Sequence, residues 1–104
     1  MRSVKFRLES TPLFSQELEQ ALDYIETQLC NPKAVDDLLS NVETEVRERL
    51  SSPASYEAVP SRIDREHPYY RIYVGNYIVF YSVIGKTMEL RRFIYKGRNW
   101  KIQI

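Results

Sequence analysis

At 104 residues the chain has the length of one domain, too short for a dinucleotide-binding unit with a substrate domain beside it. With 43% hydrophobic and 28% charged residues it fits a globular domain with one modest core, and no run nears the roughly 20 apolar residues of a membrane span. The net charge of +1 hides a division: residues 1–52 hold six Lys/Arg against ten Asp/Glu, net −4, and residues 53–104 hold nine against four, net +5, together with seven of the eight tyrosines.

A basic, aromatic second half points to an anionic partner for one face. The lone cysteine, Cys30, excludes an internal disulfide, and Cys30 with His67 does not make a zinc site. No metal or cofactor is expected, and packing alone must hold the domain, which suits a cytoplasmic protein. No apolar run follows Met1-Arg2-Ser3-Val4-Lys5, so no secretory leader is expected.

From Ser3 to Glu9 the sequence alternates, with Val4, Phe6 and Leu8 on one side and Lys5, Arg7 and Glu9 on the other. This predicts a strand with one buried face. Thr11-Pro12 then reads as a helix start, with threonine as N-cap and proline at the first helical position. Phe14, Leu18, Ala21, Leu22, Ile25 and Leu29 form one apolar stripe over Leu13–Leu29. Asn31-Pro32 repeats the start signal. Val35, Leu38, Leu39, Val42, Val46 and Leu50 form a second stripe that Ser51-Ser52-Pro53 ends. The short connection makes the two helices antiparallel neighbours.

Residues 54–68 read as irregular. Three strand-like runs follow. Tyr69–Val74 leads through Gly75-Asn76, a two-residue hairpin with glycine first as a II′ turn requires, into Tyr77–Val83. That second run is almost wholly apolar and predicts a central strand covered on both faces. Gly85-Lys86 turns the chain into Met88–Tyr95, with Leu90, Phe93 and Ile94 as apolar members, and Lys96-Gly97-Arg98 ends it. Asn99–Ile104 is read as a tail or one more edge strand. The order β-α-α-β-β-β means α+β: a helical hairpin on one face of a small, mainly antiparallel sheet, in one domain over 1–104. The other face is expected to be uncovered and to carry Arg and Tyr side chains.

The element order, with YRIYVGNYIVFY at residues 70–81 and RRFIYKGRNW at 91–100, resembles the RelE/ParE superfamily of toxins from type II toxin–antitoxin systems. The resemblance implies a small toxin restrained by a cognate antitoxin whose disordered segment folds on it. It also implies one of two activities: RelE-like cleavage of mRNA on the ribosome, by attack of the mRNA's own 2′-hydroxyl without a metal, or ParE-like poisoning of DNA gyrase. Cleavage needs cations and proton-moving groups around a phosphate, for which Arg71, Arg91, Tyr95, Lys96 and Arg98 are the candidates. Arg62, Arg65, Arg92, Trp100 and Lys101 are the candidates for binding antitoxin or target. Nucleases of this type usually carry an arginine after the tyrosine of the G-x-Y turn; here that position is Ile78, and Lys96 replaces the histidine common before the glycine of the last corner. Isoleucine cannot neutralise a phosphate, so the gyrase branch is favoured over the nuclease, with a non-toxic binding module of the same fold as a third reading. A homodimer of the free protein is a further expectation.

Simpler roles stand beside these. Arg71, Arg91 and Arg92 can be strand residues paired with Glu66, Glu89 or other carboxylates. Tyr70, Tyr77 and Tyr81 suit packing, and Cys30 suits an inert small residue at a helix end. His67 reads as structural or solvent-facing, and Trp100 as either a core cap or an interface anchor.

Overall fold

The computed structural model describes residues 6–61 and 65–104. Ser3 to Lys5 of the predicted first strand and the candidate Arg62 lie outside them. The elements are β1 (Arg7–Ser10), α1 (Pro12–Thr27), α2 (Pro32–Arg49), β2 (Tyr70–Val74), β3 (Tyr77–Ile84) and β4 (Thr87–Tyr95), followed by a short 3-10 turn at Trp100–Ile102. The predicted edge strand in the tail is therefore a helical turn. The caps are where the sequence puts them: Thr11 Oγ1 accepts from Phe14 N and Asn31 Oδ1 from Ala34 N, both at 3.1 Å.

The sheet runs β1-β4-β3-β2, with β1 parallel to β4 and the other pairs antiparallel. Both hairpins close over two residues, with Gly75 at φ +57° and Gly85 at φ +60°. β1 differs from expectation: all four of its residues are exposed, Leu8 at 44%. It lies at the outer edge of the sheet, so the alternation of its side chains does not bury one face.

α1 packs over β4 and α2 over β2. Under the hairpin, Phe14, Ile25, Leu38, Val42 and Val46 meet Ile72, Val74, Val79, Tyr81, Met88, Leu90 and Phe93. Leu29 and Leu39, assigned to the stripes, are exposed. The face away from the helices is not uncovered. Ile78, Phe80 and Ile94 form a second cluster there with Val59 and Tyr69 from the preceding loop, and Trp100 and Ile104 from the tail pack onto it. β3 is thus central and buried on both faces, as its composition predicts.

A bulge in β4 makes this two-sided packing possible. Phe80 pairs with Arg92 and Tyr81 with Leu90, which leaves Arg91 as the extra residue. Without it, the alternation that turns Met88 and Leu90 toward the helices would turn Arg92 the same way. With it, Phe93 faces the helices and Ile94 the second cluster.

Candidate functional site

Each guanidinium group of β2 and β4 stands beside a carboxylate. Arg71, on the outer face of β2, lies 3.6 Å from Glu57, and Arg91 lies 2.6 Å from Glu89. Burial alone would lower the pKa of Arg91, but its hydrogen bonds to Glu89 and Tyr69 outweigh that and hold it above its ordinary value. Arg92 reaches round the β4 edge. Its Nε and Nη2 donate to the two oxygens of Glu17 at 3.0 and 2.9 Å, and Nη1 donates to the Gln103 carbonyl at 2.7 Å. The simple reading of these three arginines as strand residues in ion pairs is the one the geometry bears out, with Glu57, Glu89 and Glu17 as partners.

Glu17 has a second task. β1 pairs with β4 only as far as Leu90, and beyond it Thr11 Oγ1 donates to Arg91 O, while Glu17 Oε1 accepts from Phe93 N at 2.9 Å. One carboxylate thus closes the sheet edge and clasps the arginine that holds the tail. Both side chains of the pair are only 16% exposed, which makes the interaction stronger than a surface pair.

Beside this clasp a groove of about 790 Å³ opens between α1, the start of α2 and the ends of β3 and β4. Ala21, Ile25, Leu29 and Phe93 give it an apolar floor, and Tyr24, Tyr77, Tyr95, Asn76 and Arg98 supply polar atoms. Tyr77 stacks on Phe93 at 4.8 Å and meets Tyr95 edge-on at 5.7 Å. Desolvation, then the proximity of Tyr95 and Tyr24, raises the Tyr77 pKa above 10. A Cβ at Gly97 would collide with the Tyr95 ring, so the glycine lets that ring lie over the corner.

The five residues proposed for phosphate chemistry are not brought together. Arg71 and Arg91 touch the rings of the outer cluster, Tyr95 and Arg98 line the groove, and Lys96 is exposed at the turn between them. Ile78, at the position where nucleases carry arginine, has no exposed surface. Of the binding candidates, Arg65 lies 4.2 Å over the Tyr69 ring and Lys101 5.8 Å from Trp100. Trp100 caps the outer cluster, 5.3 Å from Phe80. Tyr70 and Tyr81 stack at 5.4 Å, and the buried Tyr81 hydroxyl accepts from Arg49 and donates to Pro53 O. His67 lies 4.0 Å from Glu66, and Cys30 is exposed at φ +49° just beyond α1, its thiol donating to the Thr27 carbonyl. Sequence reasoning missed Glu17, Tyr24 and the groove. The signal was available: Glu17, Gln20, Ala21 and Tyr24 repeat at helical spacing along one border of the α1 stripe.

Two helices laid on one face of a four-stranded mixed sheet, in this order and register, define a toxin domain of the RelE/ParE type. A family model described as the ParE toxin of the type II toxin–antitoxin system parDE matches residues 8–100; the chain belongs to that family. Among solved structures it is similar to a chain of the chromosomal ParDE system from P. aeruginosa, at 15% identity and a TM-score of 0.70 over 89% of this chain and 98% of that one. It is also similar to a chain of the E. coli DinJ-YafQ complex, at 17% identity and a TM-score of 0.54 over 88% and 93%. No curated protein matches the sequence significantly. No helix among the described residues is long and apolar enough to cross a membrane.

Proposed function

We propose that this toxin arrests growth by poisoning DNA gyrase, as the ParE side of the superfamily does, and not by cutting mRNA. One observation carries the choice. The centre of the outer face is an apolar plug of Ile78, Phe80 and Ile94, where metal-free cleavage needs a cation on the phosphate. Of the surrounding arginines, Arg91 and Arg92 are already held by Glu89 and Glu17. Under the same reading, an antitoxin segment neutralises the toxin by laying an amphipathic helix in the groove, its apolar face on Ala21, Ile25 and Phe93 and an acidic side chain at Arg98. Apolar burial then supplies most of the affinity, so the complex should persist at about 0.5 M salt.

Induction without antitoxin tests the target. The expected result is DNA breaks and damage signalling while the translation rate is still normal. Early loss of translation with intact chromosomes would contradict it. Arg98→Glu should weaken antitoxin binding about tenfold or more by setting like charges against each other.

A further inference from the structure

The outer face carries an arrangement that neither the ion pairs nor the groove accounts for. Two aromatic rings flank Phe80, Tyr69 at 6.4 Å and Trp100 at 5.3 Å, and each has two cations against it. Arg65 and Arg91 lie 4.2 and 5.7 Å from the centre of Tyr69; Arg71 and Lys101 each lie 5.8 Å from the centre of Trp100. Arg65 and Lys101 make no ion pair among the described residues. The partner of Arg71, Glu57, is 83% exposed at 3.6 Å, so that contact opens at little cost. Tyr73, two residues along the same face of β2 from Arg71, is 54% exposed. The hairpin on the other side of the sheet is acidic: residues 12–49 hold three Lys/Arg against nine Asp/Glu, net −6.

We propose that this face binds single-stranded DNA, with Arg65, Arg71 and Lys101 on successive phosphates and the Tyr73 ring stacked on one base, while Arg91 keeps its bond to Glu89. Cations held against rings are already oriented, so less side-chain freedom is lost on binding, and the guanidinium fork matches phosphate oxygens. Basic side chains interleaved with a free aromatic ring make the platform that unpaired strands use. Tyr69 and Trp100 are occupied by Phe80 and by the cations, which leaves Tyr73 for stacking; a base locked in a duplex could not reach it. The acidic hairpin turns away from the strand and orients the approach. The choice of DNA rests on the gyrase reading; the surface itself does not.

Fluorescence anisotropy of the toxin alone with a labelled DNA strand of about 15 nucleotides tests this, against RNA and duplex DNA of the same sequence. Trp100, the sole tryptophan, serves as a second reporter through its quenching. Three phosphate contacts predict affinity falling about 20-fold between 50 and 200 mM salt. In the double variant Arg65→Ala/Lys101→Ala the salt slope should fall to about a third, whereas Arg47→Ala on the hairpin should leave it unchanged. No binding at low salt, a slope the double variant does not change, or tighter binding of RNA or duplex would overturn the proposal. Gyrase poisoning by a toxin that binds no oligonucleotide would remove this proposal and leave the gyrase reading standing. Oligonucleotide binding without gyrase poisoning would do the reverse.

Discussion

Glu17 shows how much one side chain can hold. It accepts from the Phe93 backbone and from both forks of Arg92, and Arg92 in turn holds Gln103 in the tail. Glu17→Ala leaves a half-buried guanidinium and a strand N–H without partners. It should lower the unfolding free energy by about 2–4 kcal/mol in urea titrations and blue- or red-shift Trp100 emission as the tail loosens. An unchanged midpoint and unchanged emission would mean the clasp does not hold the tail. Tyr81 makes a pH prediction. Burial raises its pKa above the ordinary 10, with the Arg49 hydrogen bond working against that, and Tyr77 is raised as well. Groups with folded pKa values above their unfolded ones contribute stability that is whole below pH 10 and lost as pH rises through the folded values. Stability should therefore fall above pH 10, less steeply in Tyr81→Phe, and phenolate absorbance should show a late-titrating class that vanishes on unfolding. At this scale the sequence displays every arginine but none of the partners: Glu57, Glu89 and Glu17 are 14, 2 and 75 residues from the arginines they hold, and only the second separation is local.

The elements were largely written in periodicity and punctuation. Thr11-Pro12 and Asn31-Pro32 start helices because a side-chain oxygen and a missing N–H suit those positions, and the glycine-first turns fix both hairpins. The bulge was less visible, although the three-residue step from Leu90 to Phe93 breaks the period of two and leaves Arg91-Arg92 between them. β1 misled because alternation implies burial only where something covers the strand, and Arg7–Ser10 at the sheet edge all stay exposed. The covered outer face was missed for a related reason. The loop 54–61 and the tail have no periodicity, yet Val59 and Trp100 from them complete the second cluster. Ile78 puts this to the test. With no exposed surface, Ile78→Arg buries an unpaired charge and should abolish folding, whereas Ile78→Val should cost about 0.5–1.5 kcal/mol. A folded, soluble Ile78→Arg protein would mean the plug is not packed as described.

Over the whole molecule, charge and apolar surface are sorted by layer: an acidic hairpin, a sheet with a core on each side, and a basic outer face whose strongest cations already have carboxylates. The sequence carried the charge division and the fold class. It could not carry the sealing of the outer face, because that depends on contacts between segments without regular structure. The sealed face favours gyrase, not the ribosome, as the target. The direct measurement is a reconstituted one: purified toxin with gyrase, ATP and plasmid DNA, run beside purified toxin with translating ribosomes and mRNA. The expected result is accumulation of gyrase-dependent DNA cleavage with the mRNA intact. Codon-positioned cuts in the mRNA with normal gyrase supercoiling would contradict it.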